Sequence, residues 1–331
     1  MAEPRADQRE SEQGPGEEDL FLQRLQSLGW RGELRRGEPL WKHTSFRIGG
    51  PARLFLVAEG RDDLRLFSRL GQERGAAGWF VLGAGTNVLI SDAGVEEPVL
   101  KLGQAFRTLE RRRSAVRAGG ALPLPRLARV ASEWGLSGLE WAAGIPGSVG
   151  GAVAMNAGAF GGQMADVVKS VAVLDLTSGR EEEWPAERLN FGYRTTALQG
   201  ADKVVTAAYL ELRPAQRREA VRERMEELLR RRREKQPLGL PSAGSVFRNP
   251  PGDAAGRLIE AAGCKGMRRG DAQVSPHHAN FIVNLGQARA SDVWALIQEV
   301  SRRVRERFGV ELALELKLVG DFPPGEGEGC A

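Results

Sequence analysis

The chain is poor in the residues that hold small or metal-bound folds together. Only two cysteines, Cys264 and Cys330, occur in 331 residues. They are too far apart to form a disulfide framework, so a reducing compartment such as the cytoplasm is expected. Three histidines beside two cysteines offer too few ligands for a structural zinc site of the usual kind, and no metal is expected. No apolar run reaches membrane-spanning length, and the start is charged from residue 3 onward with no secretory pattern. A membrane protein is therefore not expected. What is present is 41% hydrophobic residues, enough for a sizeable core, and a length that suits about two domains.

Net charge is only +4, and the basic excess gathers in "RPAQRREAVRERMEELLRRRREKQP", residues 213 to 237. Acidic residues interleave with the arginines at helical spacing, so the segment reads as a solvated helix with i,i+4 pairs. No aromatic residue interleaves to stack on bases, so nucleic acid is not an expected partner. A non-enzymatic nucleic-acid-binding protein built on this helix is the competing class. The denser positive end, Arg230 to Lys235, could lie near a phosphate ligand.

Punctuation is dense along the chain, with 42 glycines. Residues 1 to 18 are polar and charged and are expected to be disordered, and the tail from 321 to 331 likewise. Between them, "ARLFLVA" and "WFVLGAGTNVLIS" read as strands ending in loops. "LPRLARVASEWG" reads as a helix stopped by glycine. "KSVAVLDLTSGREEEW" reads as a hairpin, and "KVVTAAYLELRP" as a strand ended by proline. The arginine-rich helix at 215 to 235 then marks a domain boundary.

Four stretches could carry chemistry. In "LGAGTNVLI", a strand runs into Gly83-Ala84-Gly85-Thr86-Asn87, where glycines admit a close ligand and successive N–H groups can cradle an anion. The third glycine of a dinucleotide fingerprint is missing, and on these residues alone an ordinary tight turn is the first reading. "GLEWAAGIPGSVGGAVAMNAGAFGG", residues 138 to 162, is crowded with Gly and Ala and suits a backbone packed on a flat, large ligand. In "NFGYRTTAL", Arg194 is a lone cation suited to forked binding of a carboxylate or phosphate, or a plain surface arginine. In "VELALELKLVG", Leu312, Leu314, Leu316 and Leu318 share one face of a strand. Glu315 falls on the other face, ordinarily the solvent face.

Seven stretches occur in order: "HTSFRIGGPA", "LGAGTNVLIS", "GIPGSVGGAVAMNAGAFG", "YRTT", "AGSVFRNP", "EAAGCKGMRRGDAQVSPHHANFIVN" and "LALELKLVG". Together they resemble the UDP-N-acetylenolpyruvoylglucosamine reductase (MurB) family, the flavoenzymes of bacterial cell-wall precursor synthesis, over about residues 41 to 320. The resemblance implies an α+β protein: an FAD-binding domain of the PCMH or vanillyl-alcohol-oxidase type over 46–212, then a C-terminal α+β substrate-binding domain over 215–320. It implies FAD and NADPH as cofactors and UDP-N-acetylglucosamine enolpyruvate as substrate, and a monomer is expected. Gly83, Gly85, Thr86, Asn87, Ile145, Pro146, Gly147, Ser148 and Gly151 become the FAD candidates. Arg194, Ser245 and Glu315 match the family's catalytic trio. Asn249 matches a substrate-binding asparagine, and Arg233 and Lys235 lie where a cation for the UDP phosphates is expected. The interval between Arg194 and Ser245 is short and no tyrosine follows Tyr209, so the chain resembles the family's short form, which lacks a tyrosine-bearing loop.

The implied chemistry suits these residue types. Hydride addition to the enolpyruvyl ether leaves negative charge on the adjacent carbon, delocalised into the carboxylate. Arg194 can hold that carboxylate. Glu315 helps only if protonated, which requires burial to raise its pKa from about 4.3. A serine hydroxyl is a poor acid, but an enolate is a strong base, so Ser245 as proton donor is reasonable. His277 and His278 read as a packed turn. The nearest alternative is another FAD-dependent oxidoreductase of the same fold, such as an oxidase of small alcohols, which would not need the trio together.

Overall fold

The computed structural model of the chain describes residues 16 to 73 and 78 to 323. Most of the stretch expected to be disordered at the start, and the tail from 324, lie outside the described residues. Helix Glu17–Ser27 begins inside that stretch. It does so because Phe21 and Leu25 share one face and are buried against the first sheet's core.

Two sheets follow. The first has four strands in the order Leu34–Pro39, Pro51–Ala58, Val99–Leu102, Phe80–Val81. The outer pair is antiparallel and the others are parallel. Pro51–Ala58 is apolar on successive residues because both of its faces are covered, as parallel strands require. The strand Leu34–Pro39 pairs into this sheet although it precedes residue 46, where the FAD region was expected to begin. The second sheet has five antiparallel strands in the order Glu181–Pro185, Val168–Asp175, Lys203–Glu211, Ala115–Gly119, Leu109–Arg112. Its hairpin turns at Gly179, with φ +69. Helix Leu124–Glu133 buries Leu124, Leu127, Ala128 and Ala131 against this sheet's core.

The arginine-rich helix, Arg218–Lys235, carries the pairs Arg222–Glu226 at 2.9 Å and Arg230–Glu234 at 2.8 Å on its exposed side. It is the solvated helix its spacing implied. Beyond it, a three-stranded antiparallel sheet, Arg268–Arg269, Ala272–Val274 and Ile282–Asn284, packs under helix Ala290–Phe308. Phe46, Ile48 and Leu89 of the first half belong to this C-terminal core, so the two halves share apolar packing.

The last strand departs from expectation. Only Lys317–Val319 forms a strand, and it pairs in parallel with Val88–Ile90. Residues 310 to 316 run irregularly, with Leu314 bridged to Phe247. Glu315 consequently turns inward instead of facing solvent. No helix among the described residues is long and apolar enough to cross a membrane. Cys264 is a free, buried thiol.

Asp92 fastens the halves from the other side. Its carboxylate accepts from Ala290 N at 2.7 Å and Ser291 N at 3.0 Å, closing the first turn of helix Ala290–Phe308. Burial pushes this carboxyl up, but the two backbone donors, the Ser291 hydroxyl and Arg289 outweigh it and hold it below the usual range. A depressed carboxylate stabilises the fold above its unfolded pKa and ceases to do so as pH falls through the folded one. Asp92→Ala is expected to lose about 1 kcal/mol at neutral pH, the ordinary cost of a lost cap. Denaturant unfolding should show that difference shrinking on acidification; a difference independent of pH contradicts the capping role.

Candidate active site

The site is built where the two halves meet. Arg194 sits at the tip of a tight turn closed by Gly192 N to Thr195 O at 3.0 Å. Its own φ is +57, a left-handed conformation uncommon outside glycine and typical of functional strain. Asn156 braces the turn: buried, it donates from Nδ2 to Gly192 O at 2.8 Å and accepts at Oδ1 from Ala165 N at 3.0 Å. The Arg194 guanidinium is aimed by two bonds. Nε donates to Glu315 Oε1 at 2.9 Å and Nη2 to Gly158 O at 2.8 Å. Nη1 makes no hydrogen bond with any described residue, and the guanidinium carbon lies 5.5 Å from the Tyr193 ring centroid.

Glu315 is brought to Arg194 by its backbone. Glu315 N donates to Val246 O at 2.9 Å, and Asn87 Nδ2 donates to Glu315 O at 2.9 Å. Only 15% of the Glu315 side chain is exposed. Burial raises its pKa above the usual carboxylate range, against the opposing pull of Arg194 and Arg248. Ser245 immediately precedes the residue whose carbonyl takes the Glu315 N–H. Its hydroxyl is partly buried and makes no hydrogen bond with any described residue. Thus Arg194 and Glu315 touch, and the Ser245 segment lies alongside them.

The cofactor candidates form one wall. The N–H groups of Gly83, Ala84, Gly85, Thr86 and Asn87 donate to nothing among the described residues. The N–H groups of Gly147 and Ser148 are likewise unspent. Thr86 Oγ1 donates to Pro146 O at 3.2 Å, joining the two loops. Close approach explains the glycines: a Cβ at Gly83 would stand 2.9 Å from Ser148 Oγ, and one at Gly85 would stand 2.1 Å from His43 O. Ser148 Oγ itself accepts from Gly151 N at 3.3 Å and caps the short helix Val149–Ala154. Asn87 spends its amide on Glu315 O, Ile145 packs against the second sheet's core, and Gly151 lies inside the short helix that Ser148 caps.

The expected phosphate cations sit differently. Arg233 and Lys235 are exposed and make no ion pair with any described residue. Arg232 turns inward instead, because it continues the buried line of Val221 and Leu228 at helical spacing. It lies over Gly144, where an added Cβ would meet its Cδ at 2.7 Å. Its Nε is buried without a partner, and burial alone lowers its pKa to about 10. Arg248 is a second inward arginine with an unpartnered buried Nε. The 221, 225, 228, 232 stripe was the signal for Arg232; Arg248 gave none. Asn249 is exposed and uses Oδ1 to accept from Ala255 N at 3.0 Å, so part of its side chain is committed to structure. His277 and His278 form the packed turn their neighbours suggested, with both N–H groups on Ser275 Oγ and the His278 ring edge-on to Phe281.

A family model for the C-terminal domain of UDP-N-acetylenolpyruvoylglucosamine reductase matches residues 236–319, and one for an FAD-binding domain matches residues 52–183. The reductase 2 of that name from Symbiobacterium thermophilum is 50% identical over 296 residues, covering 88% of this chain and 95% of the relative. The reductase from Heliobacterium modesticaldum is 48% identical over 295 residues, covering 88% and 92%. The chain belongs to the UDP-N-acetylenolpyruvoylglucosamine reductase family. The crystal structure of the reductase from Thermus caldophilus superposes with a TM-score of 0.74 at 40% identity, covering 88% of this chain and 99% of that one.

FAD is the cofactor of this family's FAD-binding domain, and the wall fits it. Seven unspent N–H groups on two touching glycine loops suit a pyrophosphate and the carbonyl edge of a flat ring. Gly85→Ala places a Cβ against the His43 carbonyl and imposes left-handed strain of about 1–2 kcal/mol. The purified variant is expected to carry little flavin, read as visible absorbance per protein; full flavin content would remove Gly85 from the cofactor wall.

Proposed function

We propose that this protein reduces the enolpyruvyl group of UDP-N-acetylglucosamine enolpyruvate to UDP-N-acetylmuramate, using NADPH through FAD in cytoplasmic peptidoglycan precursor synthesis. The observation that carries the reading is the convergence of Arg194, Glu315 and the Ser245 segment beside the glycine wall. An alcohol oxidase on the same fold has no use for that grouping.

FAD would be held against the loops of residues 83 to 87 and 145 to 148 and would supply the hydride chemistry between NADPH and the enolpyruvyl ether. Arg194 receives the substrate carboxylate on the N–H groups that Glu315 and Gly158 leave open. The negative charge that develops toward that carboxylate falls beside a buried acid. Burial raises the pKa of Glu315, and in its protonated form the side chain donates a hydrogen bond to the developing enolate. The arriving carboxylate is a second anion next to Glu315 and raises its pKa further. Ser245 Oγ, with no competing acceptor, protonates the carbon adjacent to the ether oxygen. Arg232 and Arg248, buried and short of partners, supply positive charge for anionic parts of FAD or the nucleotide, a role that passes from Arg233 and Lys235 to residues facing inward.

The decisive experiment follows the flavin anaerobically. NADPH should bleach it, and the enolpyruvyl nucleotide should restore it; bleaching without recovery rules the reductase out and leaves another flavin oxidoreductase. Ser245→Ala should leave bleaching nearly intact and slow recovery by about 10²–10⁴-fold, the usual worth of a general acid. Equal slowing of both halves makes Ser245 structural.

The acid limb has its own signature. Recovery in the parent enzyme should slow as pH rises through the raised pKa of Glu315, because the deprotonated carboxylate no longer donates. Glu315→Gln should be slower but flat across that window, since the amide keeps its N–H donors. An unchanged pH limb in the variant assigns the titration to another group.

A further inference from the structure

Ser45 belongs to none of the groups assigned above, yet it touches both sides of the site. It rides on a rigid turn. Thr44 Oγ1 donates to Ile48 O at 2.9 Å and accepts from Ile48 N at 3.3 Å, while Arg47 N reaches Thr44 O at 3.2 Å. Phe46 seats the turn in the C-terminal core, and Asn284 Nδ2 holds its carbonyl at 3.1 Å.

From that turn Ser45 makes two bonds in different directions. Its N–H donates to Gly85 O at 2.9 Å, on the glycine wall. Its Oγ donates to Ser242 O at 2.7 Å, on the loop that carries Ser245. Gly85 O also lies 3.4 Å from the hydroxyl, but a single O–H proton goes to the shorter bond.

The Ser242 bond matters because the loop has so little else. Asn284 N holds Pro241 O at one end, and Val246 N donates to Asn280 O at the other. Between those two anchors, among the described residues, the bond from Ser45 Oγ is the one hydrogen bond made by residues 242 to 245. Gly244, with φ +80 and open space at its Cβ position, adds no steric restraint. Ala243 is buried and gives the loop packing, which fixes direction poorly.

The geometry points to Ser45 as a positioning residue: one side chain and one N–H that set the distance between the FAD wall and the Ser245 hydroxyl. This rests on the reading of Gly83–Asn87 as cofactor wall and of Ser245 as proton donor. Hydride and proton reach neighbouring carbons of one small substrate. The two supports must therefore be held in register, and an error of about 1 Å costs on the order of 10²-fold in rate. NADPH-driven reduction needs the wall alone.

The test uses the FAD-loaded enzyme and measures both half-reactions for Ser45→Ala, Ser45→Thr and Ser245→Ala. Ser45→Ala is expected to keep its flavin and to be reduced by NADPH near the parental rate. Its reoxidation by the enolpyruvyl nucleotide should slow by roughly 10- to 100-fold. Ser45→Thr keeps the hydroxyl and should restore reoxidation. A parental reoxidation rate in Ser45→Ala, equal loss in both half-reactions, or no rescue by threonine overturns the proposal. If the alanine variant is insoluble, Ser45→Cys carries the test: its weak S–H donor should slow reoxidation selectively and less, and the same outcomes overturn it. Slow reoxidation in Ser245→Ala with fast reoxidation in Ser45→Ala removes only the Ser45 role. Fast reoxidation in Ser245→Ala removes the proton-donor reading beneath it.

Discussion

Strand Lys317–Val319 pairs in parallel with Val88–Ile90, and Asn87 closes the start of that pairing twice. Its carbonyl accepts from Lys317 N at 3.0 Å, and its side chain donates to Glu315 O at 2.9 Å. The rest of the site depends on this junction. It carries the end of the chain back to the loop of residues 83 to 87 and swings Glu315 onto Arg194. It also lets Val246, bonded to Glu315 N, bring Ser245 alongside. A parallel pairing between residues so distant in sequence is slow to find and needs a core to hold it. Phe46, Ile48 and Leu89, inserted into the C-terminal core, supply that packing.

The electrostatics of the junction violate the rules that a purely structural protein obeys. Arg232 and Arg248 bury guanidinium nitrogens without partners. Glu315 is buried deeply enough that desolvation wins over two nearby cations. Two loops leave their N–H groups unspent. Each feature costs stability in isolation unless a ligand compensates it. Away from the site, the arginine-rich helix pairs Arg222 with Glu226 and Arg230 with Glu234 along its exposed face, and Ser275 Oγ accepts from the backbone N–H groups of His277 and His278.

How far the fold was legible depended on the range of the interaction. Pro51–Ala58, Leu124–Glu133, Val168–Asp175 and Lys203–Glu211 were readable because their patterning and punctuation are local. Helix Glu17–Ser27 was missed because its charged composition hides the face of Phe21 and Leu25. The last strand was overextended because alternating leucines mimic a strand where the chain in fact bends to bridge Phe247. On the arginine-rich helix, the sequence pointed to Arg233 and Lys235, which the fold leaves exposed. The stripe of Val221 and Leu228 continues to Arg232, whose Nε is buried.

The sequence by itself determined the family, the cofactor and the chemical types at the site, because ordered motifs of unusual composition carry that information in the order of residues. It also determined most helices and strands, whose periodicity is set by neighbours. Only the tertiary structure decided which side chains meet. The pairing of Arg194 with Glu315, the inward turn of Arg232 and Arg248, and the bridge from Ser45 to Ser242 join residues far apart in the chain. The raised pKa of Glu315 is likewise a property of burial, which arises only when the last strand closes against the glycine loop.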